Sequence, residues 1–262
     1  MGTALIDHLI YSPTPLQDAY CNRLNNGLCS GGSMRNIAYN LGRLNRPVDF
    51  LSCWGNDSYA ENLKDELTCL NVKVHGPQKE LPTPIFTAIN TPNQHLSISS
   101  FTPDFLINKN YDFPYENYDL LVTDIDDHEL LTKIIAQNNE IEIIAMGFFP
   151  PRNIFVNLQG MIFNRNEFFA LFSKEALHSL NIDYEPWTVV TMDKDGLYYG
   201  YRHTQGQLKN KREIKTGYPI GCGDALAAGL IYQLDQGQDF LFALNFAHDL
   251  AEELYQSTAN VI

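Results

Sequence analysis

The chain has 262 residues, of which 44% are hydrophobic, and its formal net charge is −13 at pH 7. This length accommodates one large α/β domain with a substantial core, and we expect a single domain over residues 1–262. The negative charge argues against binding to DNA or RNA, and the absence of any run of about 18 apolar residues argues against a membrane span.

The amino-terminal residues MGTALIDHLIYSPTP have no basic region and do not resemble a secretion signal. Five cysteines are present, an odd number, and no two of them form a C-x-x-C pair. Reduced thiols are therefore expected. Together these features predict a soluble protein of the cytoplasm.

From residue 31 onward, short apolar runs alternate with segments of helical period. This alternation predicts βαβ units and an α/β fold with a mostly parallel sheet. Helices are predicted at 33–44, 59–70, 224–236 and 239–254, and strands at 47–53, 119–123, 141–146, 161–163 and 188–192.

Two segments interrupt this rhythm. Residues 84–100 resemble a hairpin with a turn at Pro92-Asn93, and residues 8–30 are short, extended and rich in Pro, Asn and Gly. Together they predict a small sheet attached to the main body, acting as a lid over a substrate. The alternative is a pair of surface hairpins.

The segment from Gly221 to Asp224 directly precedes a predicted helix. Gly221 and Gly223 lack side chains where the backbone must approach a ligand, and the free N–H groups of a helix start, including that of Cys222, attract anions. Amides arranged in this way stabilise a phosphoryl group in flight. Asp224 would then accept the proton of an attacking hydroxyl. In the structural alternative, Asp224 is only the helix N-cap.

A second candidate site follows the apolar strand 161–163. Asn164 and Glu167 lie three residues apart at the carboxyl end of that strand, where open α/β sheets bind ligands. Glu167 is a candidate ligand for hydrated Mg²⁺ beside the phosphates. The same spacing is also typical of a capping box, and both interpretations remain open.

The predicted helix at 33–44 begins after Gly31 and Gly32. These glycines would let the backbone touch a polyol, and Asn36 in the first turn would hydrogen-bond its hydroxyls. Arg35, Asn36, Asn40 and Arg43 share the polar side of this helix, so the alternative is a solvated helix face.

Other chemistries lack their signatures. The third glycine of a dinucleotide fingerprint is replaced by Leu226, and no Walker A loop is present. No serine-hydrolase elbow occurs, and no histidines have metal-ligand spacing.

Five segments, in order, resemble the ribokinase-like (PfkB) carbohydrate kinase family. They are GGSMRNIAYNLGRL, WGND, FNRNE, TVVTMDKDGLYY and GCGDALAAGL. The resemblance covers most of the chain. Within the family, the first segment is most similar to pseudouridine kinases and other nucleoside or ribose kinases.

The resemblance implies a central sheet flanked by helices, a small β-sheet lid, ATP as donor, Mg²⁺, and transfer to a hydroxymethyl oxygen of a sugar or nucleoside. It makes Asp224 the base, with the amides of Gly221, Cys222 and Gly223 as the anion hole. It assigns the remaining roles as follows: Asn164 and Glu167 to metal and phosphate; Asp7, Gly31, Gly32 and Asn36 to the substrate; and Thr191, Asp193, Gly196 and Ala247 to the nucleotide.

The chain departs from the family pattern at several positions. Only Met1 stands where the family's first strand precedes the G-x-x-x-x-D segment, so that strand is expected to be missing. Asp193 replaces a glycine near the nucleotide, and Leu5 replaces a residue that is often polar. Residues 218–220 replace the acidic residue and threonines before the GxGD, which counts against a monovalent-cation site.

Two functions follow from these features. The first is an active kinase that phosphorylates a hydroxymethyl group of a pseudouridine-like, ribose or fructose-class substrate. The second is a degenerate member that binds such a molecule for regulation without phosphorylating it. The open edges of a small lid sheet also predict a homodimer that pairs two lids.

Overall fold

The structure is a computed structural model that describes residues 1–12, 14–15, 25–91, 95–180, 186–211 and 221–256. Its strands are β1 (Leu5–Tyr11), β2 (Asn25–Gly31), β3 (Asp49–Leu51), β4 (Lys73–His75), β5 (Ile85–Asn90), β6 (His95–Ser99), β7 (Leu120–Thr123), β8 (Glu142–Met146), β9 (Leu158–Asn164), β10 (Trp187–Thr191), β11 (Leu197–Tyr201) and β12 (Thr204–Leu208). Its helices are α1 (Ser33–Arg43), α2 (Ser58–Thr68), α3 (His128–Gln137), α4 (Arg165–Leu171), α5 (Cys222–Asp235) and α6 (Phe240–Gln256). Short 3₁₀ helices lie at Pro103–Phe105, Tyr115–Asn117, Arg152–Asn157, Lys174–His178 and Asp193–Asp195.

The central sheet has six strands in the order β12-β11-β10-β9-β8-β7. Strands β7 to β10 are parallel, whereas β11 and β12 pair antiparallel at one side. Parallel neighbours bring their carboxyl ends to the same edge of a sheet, where open α/β folds bind their ligands. The predicted α/β class with a mostly parallel central sheet is confirmed.

Apolar side chains cover both faces of this sheet. In β8, Ile144 packs into a core with α1, α2, α5 and α6, whereas Ile143 and Ala145 pack into a second core that contains α3 and α4. In β10, Val189 packs into the first of these cores and Val190 into the second. Strands buried on both sides carry continuous apolar runs, and for this reason they could be predicted from the sequence.

Helices α1 and α2 follow from local sequence signals. Residues Ile37, Ala38 and Leu41 place one buried stripe along α1. Helix α2 begins where the Asp57 side chain accepts a hydrogen bond from the Ala60 N–H at 3.1 Å. Among the described residues, no helix combines the length and apolar character needed to cross a membrane.

Helices α5 and α6 pack closely behind the sheet. A Cβ added at Gly229 would lie 3.0 Å from the Ala247 Cα atom, so only a residue without a side chain permits this approach. Ala243, Leu244 and Ala247 of α6 are fully buried in the same core. This packing fixes the amino end of α5 relative to the sheet.

A second sheet has four strands in the order β2-β1-β5-β6. Strands β5 and β6 form the predicted antiparallel hairpin, and β1 joins it by parallel pairing with β5. The predicted turn at Pro92-Asn93 and residues 13 and 16–24 lie outside the described part of the chain. The two segments predicted to form a small sheet therefore do share one.

The prediction of a strand over 47–53 is only partly right. The regular strand covers only Asp49–Leu51, which pairs in parallel with β4. Beyond Leu51, the backbone bonds mainly to the segment that follows β4. The Met1 amine donates a hydrogen bond to the Val122 oxygen at 2.6 Å, and the Gly2 N–H donates to the Leu51 oxygen at 3.1 Å. The first residues thus bridge β7 and β3, although no regular strand precedes β1.

Candidate active site

A cleft of about 520 Å³ lies between the carboxyl ends of the central strands and the four-stranded sheet. The predicted residues that line it are Asp7, Gly32, Asn36, Asn164, Thr191, Asp193, Gly196, Gly221, Cys222, Gly223 and Asp224. Gly31, Glu167 and Ala247 do not line it. The cleft therefore brings together residues as far apart in sequence as Asp7 and Asp224.

The amino end of α5 points into this cleft. Gly221 has a left-handed backbone, with φ at 82°, and the helix begins at the next residue. This φ favours glycine, because a side chain would be strained there. The first N–H groups of a helix have no acceptor within it, so the amino end of α5, where Gly223 lies, is suited to binding an anion. Burial raises the pKa of the Cys222 thiol to about 12, so this cysteine stays protonated.

Asp224 is the third residue of α5, which rules out the alternative in which it caps the helix. Its side chain is 9% exposed and lines the cleft. The Asn36 amide donates a hydrogen bond to Asp224 Oδ2 at 2.8 Å. Burial raises the pKa of Asp224 to about 7, hydrogen bonds from Asn36 and Ser33 oppose that rise, and the nearby charges of Asp7 and Asp124 add to it. A carboxyl with this pKa can accept a proton near neutral pH.

The small sheet forms the roof of the cleft near Asp224. Asp7 of β1 is 5% exposed, and a Cβ added at Gly31 of β2 would lie only 2.3 Å from the Asp7 carboxyl carbon. Gly31 therefore makes room for that carboxylate and does not line the cleft itself. Leu5 and Phe86 add apolar surface to the same roof.

The polar side of α1 is mostly not a solvated face. Arg35, Asn36 and Asn40 are all buried, and only Arg43 is exposed. The prediction of a solvated face fails because this side of α1 packs against α5 and α2. Arg35 pairs with Glu66 and donates a hydrogen bond to Asn36, and Asn36 donates one to Asp224.

Asp124 was missed by the sequence analysis. It follows β7 directly and lines the cleft, and its Oδ1 atom is buried without a hydrogen-bond partner among the residues that the structure describes. Burial raises its pKa and lowers that of the Met1 amine beside it. Its position just after the predicted strand 119–123 was the one available signal, since the ends of parallel strands meet at the ligand-binding edge.

Asn164 and Glu167 form the capping box that their spacing predicted. The Asn164 side chain accepts from the Glu167 N–H at 2.9 Å, and the Glu167 carboxylate accepts from the Asn164 N–H at 2.7 Å. Asn164 lines the cleft, while Glu167 is half-buried just behind it, against the Gly147 turn. Both residues thus begin α4 and stand at the edge of the cleft.

The carboxylates at this edge fit a hydrated Mg²⁺ ion. Burial raises the pKa of Glu167, and the Glu167 charge in turn raises the pKa of Asp124. Neighbouring carboxylates that repel one another accommodate a divalent cation, and Mg²⁺ needs only one or two of them because it retains waters. Within the described ranges, no three His, Cys, Asp or Glu side chains form a closed metal-binding group.

The far end of the cleft is where the family resemblance places the nucleotide. Thr191, Asp193 and Gly196 line it. Asp193 has a left-handed backbone with φ at 51°, a conformation that glycine adopts more readily than other residues. Ala247, on the helix predicted to lie beside the nucleotide, is fully buried against α5 and does not itself line the cleft. Its neighbours on α6, His248, Ala251 and Glu252, line the cleft instead. Residues 218–220 lie outside the described residues.

Comparisons with known proteins show which family and fold the chain shares. The model of the pfkB family carbohydrate kinases matches residues 2–260. The guanosine-inosine kinase of Exiguobacterium acetylicum is 26% identical over 259 residues, which cover 88% of this chain and 85% of that protein.

Two solved structures illustrate the shared fold. The nucleoside kinase of Methanocaldococcus jannaschii superposes with a TM-score of 0.74 at 15% identity, covering 99% of this chain and 91% of the other. The ribokinase of Arabidopsis thaliana, complexed with ribose and ATP, superposes with a TM-score of 0.72 at 14% identity, covering 98% and 92%.

Proposed function

The chain belongs to the pfkB family of carbohydrate kinases, and on that premise we propose which of its residues carry out phosphoryl transfer and to what. The donor is ATP, and the acceptor is a hydroxymethyl group of a nucleoside or sugar of the pseudouridine-like, ribose or fructose class. The observation that carries the proposal is the Asp224 carboxylate, held by Asn36 at the amino end of α5 inside the cleft.

In the proposed reaction, Asp224 removes the proton of the acceptor hydroxyl. The oxygen of that hydroxyl forms a bond to the γ-phosphorus of ATP at the same time. The bond between that phosphorus and the bridging oxygen breaks, and ADP leaves. The backbone amides of Gly221, Cys222 and Gly223 donate hydrogen bonds to the oxygens of the phosphoryl group in transit. Preorganised donors of this kind stabilise the charge that spreads over these oxygens.

Glu167 and Asn164 would hold Mg²⁺ at the edge of the cleft, where the ion neutralises charge on the phosphates when it is bound. We expect Glu167→Gln to raise the Mg²⁺ concentration needed for half-maximal activity by about tenfold or more. Glutamine preserves the capping box, so the start of α4 remains intact. A Mg²⁺ titration of activity measures the effect.

Glu175→Gln is a suitable control, because this exposed carboxylate lies in a 3₁₀ helix that does not line the cleft. An unchanged Mg²⁺ dependence in Glu167→Gln would remove Glu167 from the metal site.

A nucleoside acceptor is favoured by one side chain of the roof. Phe86 presents an aromatic ring to the cleft on the same sheet face as Asp7, its register partner in β1. Bases stack on such rings, whereas a free sugar has no π-face to use. The similarity to a guanosine-inosine kinase supports the same choice.

The experiment that tests the proposed function is an ADP-release screen with Mg·ATP over nucleosides, including pseudouridine, and over ribose and fructose. We expect turnover with at least one nucleoside. Sugar turnover without nucleoside turnover would contradict the nucleoside choice and leave the kinase assignment in place.

The alternative is a member that binds its ligand without phosphorylating it. Its basis is the acidic side chain of Asp193 at the nucleotide end and Leu5 at the acceptor end, both of which depart from the family pattern. Calorimetry separates the two functions, since measurable Mg·ATP affinity counts against the alternative. Binding of a nucleoside or sugar by a protein with no nucleotide affinity would favour it.

We also propose a homodimer that forms through the small sheet. Leu28, Leu96 and Ile98 are each more than half exposed, and the strand register places them on the face opposite Asp7 and Phe86. An apolar face of this kind is suited to pairing with a second copy.

If this proposal is correct, Ile98→Asp will convert a dimer into a monomer in light scattering at micromolar concentration. Val156→Asp is the matched control, because this residue is 89% exposed and lies far along the chain from the small sheet. A wild-type protein that is already monomeric would refute the dimer.

The cytoplasm remains the compartment we propose. Among the cysteines that the structure describes, Cys53 and Cys69 are free thiols, which suits a reducing environment.

A further inference from the structure

Arg35 is an arginine enclosed inside the protein, one residue before Asn36. It is 1% exposed, and its guanidinium group forms an ion pair with the Glu66 carboxylate of α2. The group also lies over the ring of Tyr39, 4.6 Å from its centre. Burying a charged side chain is costly unless it is paired, so this arrangement is maintained by specific contacts and not by simple burial.

One of these contacts leads directly to the candidate base. Arg35 Nη1 donates a hydrogen bond to Asn36 Oδ1 at 3.2 Å, and Asn36 Nδ2 donates to Asp224 Oδ2 at 2.8 Å. Glu66, Arg35, Asn36 and Asp224 thus form a continuous chain of polar contacts that joins α2, α1 and α5. The guanidinium itself does not line the cleft.

The chemistry of these groups fixes the orientation of the Asn36 amide. A guanidinium can only donate hydrogen bonds, so it can face only the amide oxygen. The amide NH₂ group must then face the Asp224 carboxylate, which accepts from it when ionised. In the flipped orientation, the amide oxygen would lie against the carboxylate and the NH₂ group against the guanidinium, and both contacts would be repulsive.

We propose that Arg35 is a positioning residue for phosphoryl transfer, because it locks the Asn36 amide in the orientation that keeps Asp224 ionised and in place. This inference rests on the proposed function, since it takes Asp224 to be the base. Arg35 touches neither substrate nor nucleotide. Its effect reaches the reaction only through Asn36.

A role of this kind has a recognisable dependence on pH. The bond from Asn36 lowers the pKa of Asp224, together with a bond from Ser33, while burial and the charges of Asp7 and Asp124 raise it. If Arg35 no longer holds the amide, that bond weakens and the balance shifts toward the protonated carboxyl. Activity should then fall near neutral pH and recover at higher pH, where Asp224 ionises again.

The test uses Arg35→Met, which keeps an unbranched side chain but donates no hydrogen bond, and Arg35→Lys, which keeps a charged donor. For Arg35→Met we expect the acidic limb of the kcat/KM profile to move up by about one pH unit, with roughly a fivefold loss at pH 7. Recovery toward the wild-type value is expected above pH 8.5. The acidic limb for Arg35→Lys should lie between those of wild type and Arg35→Met. Arg43 is an exposed arginine of the same helix, and the profile of Arg43→Met should match wild type.

A second readout needs no substrate. The pH dependence of the stability difference between a protein and its Asp224→Asn counterpart reports the pKa of Asp224 in the folded state. We would measure this pKa in the wild-type and Arg35→Lys backgrounds, and in Arg35→Met if that variant folds. The pKa of Asp224 should be lowest in wild type, higher in Arg35→Lys and highest in Arg35→Met. The lysine variant carries the test if the methionine variant does not fold.

An unshifted pKa in the folded variants, or a loss of activity that is equal at every pH, would overturn the proposal. If Asp224→Asn is inactive and the Arg35 variants keep the wild-type profile, only the positioning role fails. If Asp224→Asn retains full turnover, the assignment of the base itself fails.

Discussion

Replacing Asp224 with Asn is expected to lower kcat by about 10²- to 10⁴-fold, the usual effect of removing a general base. Asparagine has nearly the same shape and can still accept a hydrogen bond from Asn36, so the cleft should keep its geometry. The dissociation constant of Mg·ATP, measured by calorimetry, should change little. Steady-state ADP release with the acceptor found in the screen measures kcat.

Asp239→Asn is the control for this variant. Asp239 caps the start of α6 by accepting hydrogen bonds from the Leu241 and Phe242 N–H groups, a role that asparagine also fills, and it does not line the cleft. Turnover in Asp224→Asn within a factor of two of wild type would eliminate Asp224 as the base.

Wild-type activity should depend on pH in the direction set by the same residue. Because burial raises the pKa of Asp224 to about 7, kcat/KM should be half-maximal near pH 7 and should level off about one pH unit higher. Below this range the carboxyl is protonated and cannot accept the proton of the hydroxyl.

Asp224→Asn should also make the protein more stable at alkaline pH. The folded state holds a proton on Asp224 that the unfolded state has already lost, so the wild-type free energy of unfolding falls as pH rises from about 4 to 7. At pH 8 the variant should be more stable by about 1–4 kcal/mol, and the difference should vanish near pH 4. Denaturant unfolding at several pH values measures it, and a less stable variant at pH 8 would contradict the buried, ionised carboxylate.

The second large effect is expected from Gly223→Ala. A Cβ added at Gly223 meets no heavy atom within 4 Å, so the folded chain has room for it. That open space is the cleft, where the phosphoryl group would lie against the amides of α5. We therefore expect kcat to fall by about 10²-fold or more, the effect of losing a donor to a developing anion.

The stability of the Gly223→Ala protein, in contrast to its kcat, should rise slightly or remain unchanged. In a helix interior alanine is favoured over glycine by about 0.5–1 kcal/mol, and Gly223, the second residue of α5, should show at most this gain. Gly27→Ala is the matched control, since a Cβ there also meets nothing within 4 Å and Gly27 does not line the cleft. A fully active Gly223→Ala protein with an unchanged melting temperature would place the phosphoryl group elsewhere.

Much of the fold could be predicted because its signals are local. The buried runs that form β7 to β10 are continuous in sequence, and the helical stripes of α1 and α2 repeat at short range. The capping box of Asn164 and Glu167 is also local, since its two partners are three residues apart. Such patterns need no knowledge of the rest of the chain.

The errors came from contacts between distant segments. The polar side of α1 resembled a solvated face, yet it is buried because α2 and α5 cover it. Ala247 seemed close to the nucleotide, but its small side chain instead allows α5 and α6 to pack together. Periodicity shows that a helix has two sides, and it does not show what lies against each.

The sequence by itself determined the fold class, the family resemblance and the glycine-rich start of α5, because glycine placement and apolar period are properties of neighbouring residues. Only the tertiary structure decided which polar groups meet in the cleft. Asn36 and Asp224 are 188 positions apart, and Asp124 is distant in sequence from both. Their convergence, and the pKa of Asp224 that results from it, depends on how the sheet and helices pack around one buried space.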